Sequence, residues 1–254
     1  MRQKLRHSLQ IHYQWGISIC IPAYNEEKTI EQAVHDASET LKKTNVPGEI
    51  LVIDDCSNDS TKEILERTKK NMPILQVRHH AANQGIAKTF NELYRWASRE
   101  LVFLYPADGQ WKMNILIDMF GLIDDYDLVV ARRTKKHYNL SRKIVSWIFN
   151  FLPILLFRTR TYDAGSLKLA RREIYDIPVI SSGVFVEAER IVRAKRLGYR
   201  IGSIGVDHIP RISGKSSGAK LALIAQSIVD LISCWIDIFI LEYWLNQSAG
   251  NDNT

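Results

Sequence analysis

Three short apolar runs in the first half of the chain each end abruptly in a cluster of polar side chains. Ile17–Ala23 runs into Tyr24-Asn25-Glu26, Glu49–Asp54 into Asp55-Cys56-Ser57-Asn58-Asp59, and Leu101–Tyr105 into Pro106-Ala107-Asp108-Gly109-Gln110. Runs of that length rich in Ile, Val and Leu read as buried strands. Between them, apolar residues recur at helical spacing: Glu26–Leu41 through Ile30, Ala33, Val34, Ala37 and Leu41, then Ser60–Lys70 and Ile86–Ala97. Further strands are predicted at Ile74–Arg78 and Asp127–Ala131, and a helix at Met113–Ile123. Strands separated by helices need right-handed crossovers, hence an α/β fold with a mostly parallel central sheet flanked by helices. Ligands bind such a sheet beyond the carboxyl ends of its strands, and that is where the three clusters fall.

The second half is less regular: an extended piece near Tyr162–Leu169, a helix at Val186–Leu197, a strand near Arg200–Val206 and an apolar C-terminal run, Ala219–Leu245. That last run carries Gln226, Asp230, Ser233 and Asp237 at spacings of a helical turn, so it reads as an amphipathic helix that packs on the domain or lies in a membrane interface. Its two Asp residues argue against a spanning helix. The 254 residues, 46% apolar and 24% charged, suit one sizeable domain and exclude a disordered chain. Cys20, Cys56 and Cys234 are an odd, scattered set, which fits a reducing compartment better than a disulfide framework. MRQKLRHSLQ has no long apolar run behind it, so no signal peptide is expected.

The net charge of +6 is concentrated in one place. Between Ala131 and Arg160 there are eight basic residues and no acid, so the rest of the chain sums to −2. The segment includes Ile144–Phe157, 14 residues that are too short to cross a bilayer and carry Asn150 and Pro153. A basic, apolar element of this kind suits phosphates or an anionic membrane surface; a core helix with solvated flanks is the plain alternative. Its aromatic residues sit in an apolar run, which argues against base stacking and so against nucleic acid.

Carboxylates converging on a sheet edge repel one another unless a cation or the donors of a ligand relieve them. Oxygen ligands of this sort suit Mg²⁺ or Mn²⁺. Neither GxxxxGK[ST] nor GxGxxG occurs at strand one, so a phosphate-cradling glycine loop is absent. Taken singly, each cluster reads as a helix start, a capping turn with Asp59 or Ser57 as N-cap, or a common Asp-Gly turn. All three at one edge point to a site.

IPAYNEEKTI, LVIDDCSNDST, NQGIAKTFN and PADGQW together resemble family 2 glycosyltransferases of the GT-A fold, with a Rossmann-like nucleotide-binding half. Arg142-x-x-x-Ser146-x-x-x-Asn150, Asp163-Ala-Gly165-Ser, GVFVEAERIVRAKRLGYRI and HIPRISGKSS are similar to the polyprenyl-phosphate sugar transferases within that family. The resemblance implies one domain over 15–217, made of a donor-binding half (15–131), a basic insert (132–160) and an acceptor half (161–217), followed by the amphipathic helix (218–247). It implies that Pro22, Tyr24, Glu26, Asp54 and Asp55 line the donor's base and ribose. Asp108 and Gln110 match the metal and diphosphate positions, and Arg132 a basic position at the end of strand five. Arg142, Ser146, Arg211 and Ser216 match groups around the acceptor phosphate or donor diphosphate, and Glu189 an acidic position near the sugar; Asp108, Glu189 and Arg142 are the implied catalytic set. Two positions depart from the pattern. Pro106 stands where the family has the first Asp of Asp-x-Asp, leaving one carboxylate plus Gln110 for Mg²⁺ or Mn²⁺, and Ser217 stands where relatives often have Lys.

The implied reaction is inverting transfer of a hexose from a nucleotide-diphosphate sugar to a polyprenyl phosphate, by a cytoplasmic protein held peripherally at the membrane. An acceptor phosphate is already ionised, so it needs positioning rather than a base. Trp147, Ile148, Phe151 and Leu155 would face lipid while Arg142 meets the phosphate. Two alternatives stand beside it. One is transfer to a saccharide hydroxyl, which needs a base from Glu187 or Glu189; two residues apart on a helix, they point to different faces, and the other would be solvated. The other is a sugar-nucleotide or lipid-binding protein without turnover.

Overall fold

The computed structural model describes residues 15–134, 150–183, 185–207 and 221–241. The elements are β1 (Ile17–Ala23), α1 (Ile30–Thr44), β2 (Gly48–Asp54), α2 (Thr61–Lys69), β3 (Leu75–His79), α3 (Ile86–Trp96), β4 (Leu101–Leu104), α4 (Ile115–Phe120) and β5 (Leu128–Arg133). Then come helical residues 150–157, here α5, followed by β6 (Lys168–Arg171), a 3₁₀ turn (Arg172–Asp176), α6 (Val186–Arg196), β7 (Ile201–Val206) and α7 (Leu221–Ile236). A π-helical turn, Asp237–Leu241, continues α7.

Seven strands form one sheet in the order β3-β2-β1-β4-β6-β5-β7. β6 runs antiparallel to both its neighbours, and every other pair is parallel. The mostly parallel sheet expected from the sequence is therefore present, with one reversed strand inside it. Because successive side chains alternate across a strand, β1 sends Ile17, Ile19 and Ile21 to one face and Cys20 to the other. The first face packs against Ile30, Val34 and Ala37 of α1 and Leu116 and Met119 of α4. The second packs against Leu93 and Tyr94 of α3 and Ile191 and Ala194 of α6. A third, separate cluster joins α5, α6 and α7 through Phe157, Val192, Leu231, Cys234 and Ile238.

Several boundaries differ from expectation for local reasons. The first helix starts at Ile30, not Glu26, because Asn25 is left-handed (φ 56°) and residues 24–29 form a loop whose Glu26 carbonyl accepts from Thr29 and Ile30. Neither Ser57 nor Asp59 is the N-cap of α2; Ser60 is, and Asp59 serves from outside by accepting from the Thr61 amide and hydroxyl. The extended piece expected at Tyr162–Leu169 is a turn followed by a strand that begins only at Lys168: Tyr162 is left-handed (φ 56°) and the Ser166 amide donates back to the Asp163 carbonyl. The C-terminal helix passes into a π-turn at Asp237, and residues 242–245 of the expected run lie outside the described residues.

Candidate active site

The ends of β1, β2 and β4 lie on one rim. β1 is the strand between the other two, with Ala23 opposite Asp54 and Cys20 opposite Leu104. Two strand spacings separate β2 from β4, about 10 Å, so Asp55 and Asp108 follow strands that end on the same rim with β1 between them. The reversal of β6 brings Lys168 to this rim too, opposite Leu104 and Val130. α6 then has to start at the rim, since it leads back to the foot of β7, which is parallel to β5.

Many of the polar residues in the motifs bind each other. The Asn25 amide donates to Ser57 Oγ (2.9 Å) and Asn25 Oδ1 accepts from the Asn58 amide (2.8 Å). The Glu26 amide donates to Thr61 Oγ1, the Glu27 amide to Asp59 Oδ2, and Glu27 Oε2 accepts from the Ser60 amide. Five bonds thus zip the loop after β1 to the loop after β2. Cys56 sits in this zip at φ 63°, an unusual conformation for a residue with a Cβ.

Asp54 and Asp55 are both buried, 2% and 5% exposed. Asp54 accepts from the Ser57 amide and hydroxyl and pairs with His79 Nδ1 (2.9 Å), so its oxygens are committed to the rim itself. Asp55 accepts from the Gln84 amide (2.7 Å), the Gly85 amide (2.9 Å) and His80 Nδ1 (2.6 Å), holding the 80–85 loop against the rim. His80 Nε2 continues to Glu92 on α3 (3.0 Å). Burial alone would pull the His80 imidazole down, but its bonds to Asp55 and Glu92 and their charges outweigh this and raise it. Neither histidine was singled out from sequence; a His-His pair closing a strand was the available signal.

Tyr24 projects from the rim, 46% exposed, while Pro22 is buried in β1 and Glu26 is half-buried and accepts from Thr29 Oγ1. Asp108 is 7% exposed and accepts from the Gln110 amide across Gly109, whose φ of 68° makes the tight turn. Gln110 is half-buried. Arg132 is exposed at the end of β5, whereas Arg133, one residue on and so on the opposite face, makes a two-pronged bond to Asp163 (both 2.6 Å). That pair fixes the Asp163-Ala-Gly165-Ser turn, whose Ser166 hydroxyl donates to the Ala131 carbonyl.

Glu187 and Glu189 correct the expectation that one of them is solvated: they are 3% and 0% exposed. Glu189 accepts from the Ile180 and Ser181 amides (2.9 and 2.8 Å) and from Arg193 Nε (2.7 Å). Glu187 pairs with buried Lys168 (2.8 Å) and accepts from the Tyr94 hydroxyl (3.1 Å). Burial pushes the thiols up, Cys234 to about 12 and Cys20 further, so neither is a nucleophile at neutral pH. Arg142, Ser146, Arg211, Ser216, Trp147 and Ile148 lie outside the described residues; Phe151 and Leu155 are exposed.

Among the described residues no group of three or more His, Cys, Asp or Glu side chains is arranged to hold a metal. The Asp108 carboxylate and the Gln110 amide oxygen are two hard oxygen donors, a partial set of the kind that Mg²⁺ or Mn²⁺ accepts when phosphate oxygens and water complete the shell.

The profile described as "Glycosyl transferase family 2" matches residues 18–177. The chain is 26% identical over 227 residues to undecaprenyl-phosphate 4-deoxy-4-formamido-L-arabinose transferase of Yersinia enterocolitica, spanning 86% of this chain and 67% of that protein. It is 22% identical over 224 residues to undecaprenyl-phosphate mannosyltransferase of Micrococcus luteus, spanning 83% and 90%. Among solved structures it matches glucosyl-3-phosphoglycerate synthase from Mycobacterium tuberculosis in complex with Mn²⁺, UDP and phosphoglyceric acid, with TM-score 0.72, 18% identity and coverage of 91% and 82%. A mannosyltransferase from Pyrobaculum calidifontis in complex with GDP-Man and Mn²⁺ matches with TM-score 0.61, 18% identity and coverage of 93% and 74%. At such identities the structural likeness carries the fold.

Proposed function

The chain belongs to glycosyl transferase family 2 and is a glycosyltransferase of the GT-A fold; from that premise we propose that it moves a hexose from a nucleotide-diphosphate sugar to a polyprenyl phosphate at the cytoplasmic surface of a membrane. The observation that carries the acceptor half of this reading is the state of α6. A hydroxyl acceptor needs a base, yet Glu187 is paired with Lys168, and Glu189 is held by two amides and Arg193. A phosphate acceptor arrives ionised and needs none. The names of the curated relatives, both acting on undecaprenyl phosphate, support the same choice.

On this reading the donor lies along the rim over residues 15–131, with the Tyr24 ring and the Asp55 loop against its base and ribose. Arg132, exposed at the end of β5, and Arg142 neutralise the diphosphate as it leaves, and Arg142, Ser146, Arg211 and Ser216 hold the acceptor phosphate in line with the anomeric carbon. Asp108 and Gln110 would hold a divalent cation, Mg²⁺ or Mn²⁺, whose chemistry is to take up the charge of the leaving nucleoside diphosphate. Pro106 withholds a second carboxylate, so the diphosphate supplies more of the shell. Glu189 acts by fixing residues 180–181 beside the rim, not by transferring a proton.

The test is a radiolabelled transfer assay with UDP- and GDP-hexoses and polyprenyl phosphate in detergent. Label is expected in the organic phase; label in water-soluble glycan favours the hydroxyl acceptor, and nucleotide binding with no transfer favours a binding protein. Asp108→Ala is expected to lower turnover by about a hundredfold or more, the scale of lost charge stabilisation at a leaving group, with an unchanged melting temperature. An unaltered rate would remove Asp108 from the site.

A further inference from the structure

A helix laid on a globular domain usually turns its apolar stripe inward. Among the described residues, α7 and the π-turn after it tie their carboxylates to the domain and turn most of their large apolar side chains out. Asp230 is 5% exposed and accepts from the Gly183 amide (2.9 Å), and Asp237 pairs with Arg193 (2.5 Å). Meanwhile Ile228, Val229, Ile232, Trp235, Ile236 and Phe239 are all between 36% and 56% exposed. Among the described residues from Ile228 to Ile240 the one exposed polar side chain is Ser233.

α5 repeats the pattern beside it. Its Leu152, Leu156 and Phe157 rest on the same cluster as Leu231, Cys234 and Ile238 of α7, while Phe151, Ile154 and Leu155 face out. The Phe239 ring lies 6.2 Å from Phe157 and 5.9 Å from Trp235, so the two outward faces adjoin. The margin of this surface is basic. Arg158 and Arg160 are exposed where α5 ends, the guanidinium of Arg196 lies 5.0 Å from the Phe239 ring, and no acid occurs between Ala131 and Arg160.

We propose that the outward faces of α7 and α5 form a docking surface that lies in the interface of an anionic lipid bilayer, with their apolar side chains among the acyl chains and the flanking arginines at the headgroups. The inference deepens the lipid-acceptor reading and rests on it only for where the substrate is found. Three observations select lipid as the occupant. The apolar face is bordered by cations, as anionic lipid requires. Trp235 sits in that face, and Trp is favoured at the boundary between headgroup and acyl chain. Among the described residues no helix is long and apolar enough to cross a membrane, and Asp230 and Asp237 are anchored to the protein, which suits a helix lying in a membrane interface.

The full chain is sedimented with vesicles of phosphatidylcholine alone or of phosphatidylcholine mixed with phosphatidylglycerol. Partition into the anionic vesicles is expected to exceed that into neutral ones by roughly tenfold at low salt and to fall as salt is added. The double variant Val229→Asp/Ile232→Asp is expected to lose partition into both by about tenfold or more, while its melting temperature and its calorimetric binding of a nucleoside diphosphate stay unchanged. A variant that sediments like the wild type overturns the proposal. So does a wild-type chain that ignores both vesicles but dimerises through this face, becoming monomeric in the variant. Transfer to polyprenyl phosphate in detergent reads the acceptor assignment separately, so either reading can fail while the other stands.

Discussion

His80 ties a rim carboxylate to a helix. Its ring is 10% exposed and bridges Asp55 and Glu92, and Arg78 reaches the other oxygen of Glu92 at 3.7 Å. Its folded value is raised above the ordinary 6.5. The proton it holds therefore contributes stability that is complete below about pH 6.5 and is lost as pH rises through the raised value. His80→Gln keeps hydrogen-bonding capacity but no charge. The difference in unfolding free energy between wild type and variant, from urea titrations at several pH values, is expected to be largest in mild acid, about 1–2 kcal/mol, and to shrink towards pH 8; a difference independent of pH sinks the assignment. At this scale the sequence was read best where chemistry and position coincide. Asp55 and Asp108 both fall on the rim, as the polar strand ends implied. Asp54 and Glu187 were legible as acids but not as occupied ones, because their partners lie far off in sequence, His79 25 residues on and Lys168 on β6, whereas Glu189 is held by the Ile180 and Ser181 amides and by Arg193 one turn along its own helix.

Between elements, the Lys168–Glu187 pair is the join between β6 and α6. Lys168 is 1% exposed and also donates to the Ala164 and Ser166 carbonyls, so one ammonium holds the turn before β6 and the first turn of α6 together. Lys168→Met leaves Glu187 buried and uncompensated, expected to cost about 3–5 kcal/mol in chemical denaturation. Adding Glu187→Gln is expected to return part of that loss, since the double variant buries no net charge; a double variant no more stable than Lys168→Met would deny the pairing. Alternation of apolar runs with helical spacing made β1 to β5 and α1 to α4 legible. The reversed strand was not, because four residues, KLAR, carry too short a pattern to reveal direction, and the turn before it depends on Arg133, thirty residues earlier.

Across the whole molecule, cohesion is uneven. The sheet is sealed by two apolar clusters, while α7 is joined to the body through the third one, with polar ties from Gly183 and Arg193. α7 is expected to exchange its amide hydrogens faster than β1 and β2, opening without the sheet. Gly183→Ala places a Cβ 2.8 Å from Asp230 Oδ2 and is expected to speed exchange in α7 while leaving the central strands unchanged; equal acceleration everywhere would mean that α7 and the sheet open as one unit.

Because β6 runs backwards, the excursion from Arg133 to Lys168 leaves the sheet and rejoins it on the same edge, and Arg133 and Asp163 clasp its two ends. A loop closed at its own base can lengthen, shorten or be exchanged without disturbing any strand register. On the proposed reading, then, the segment assigned to the acceptor could be exchanged for another while the strand ends assigned to the nucleotide keep their places.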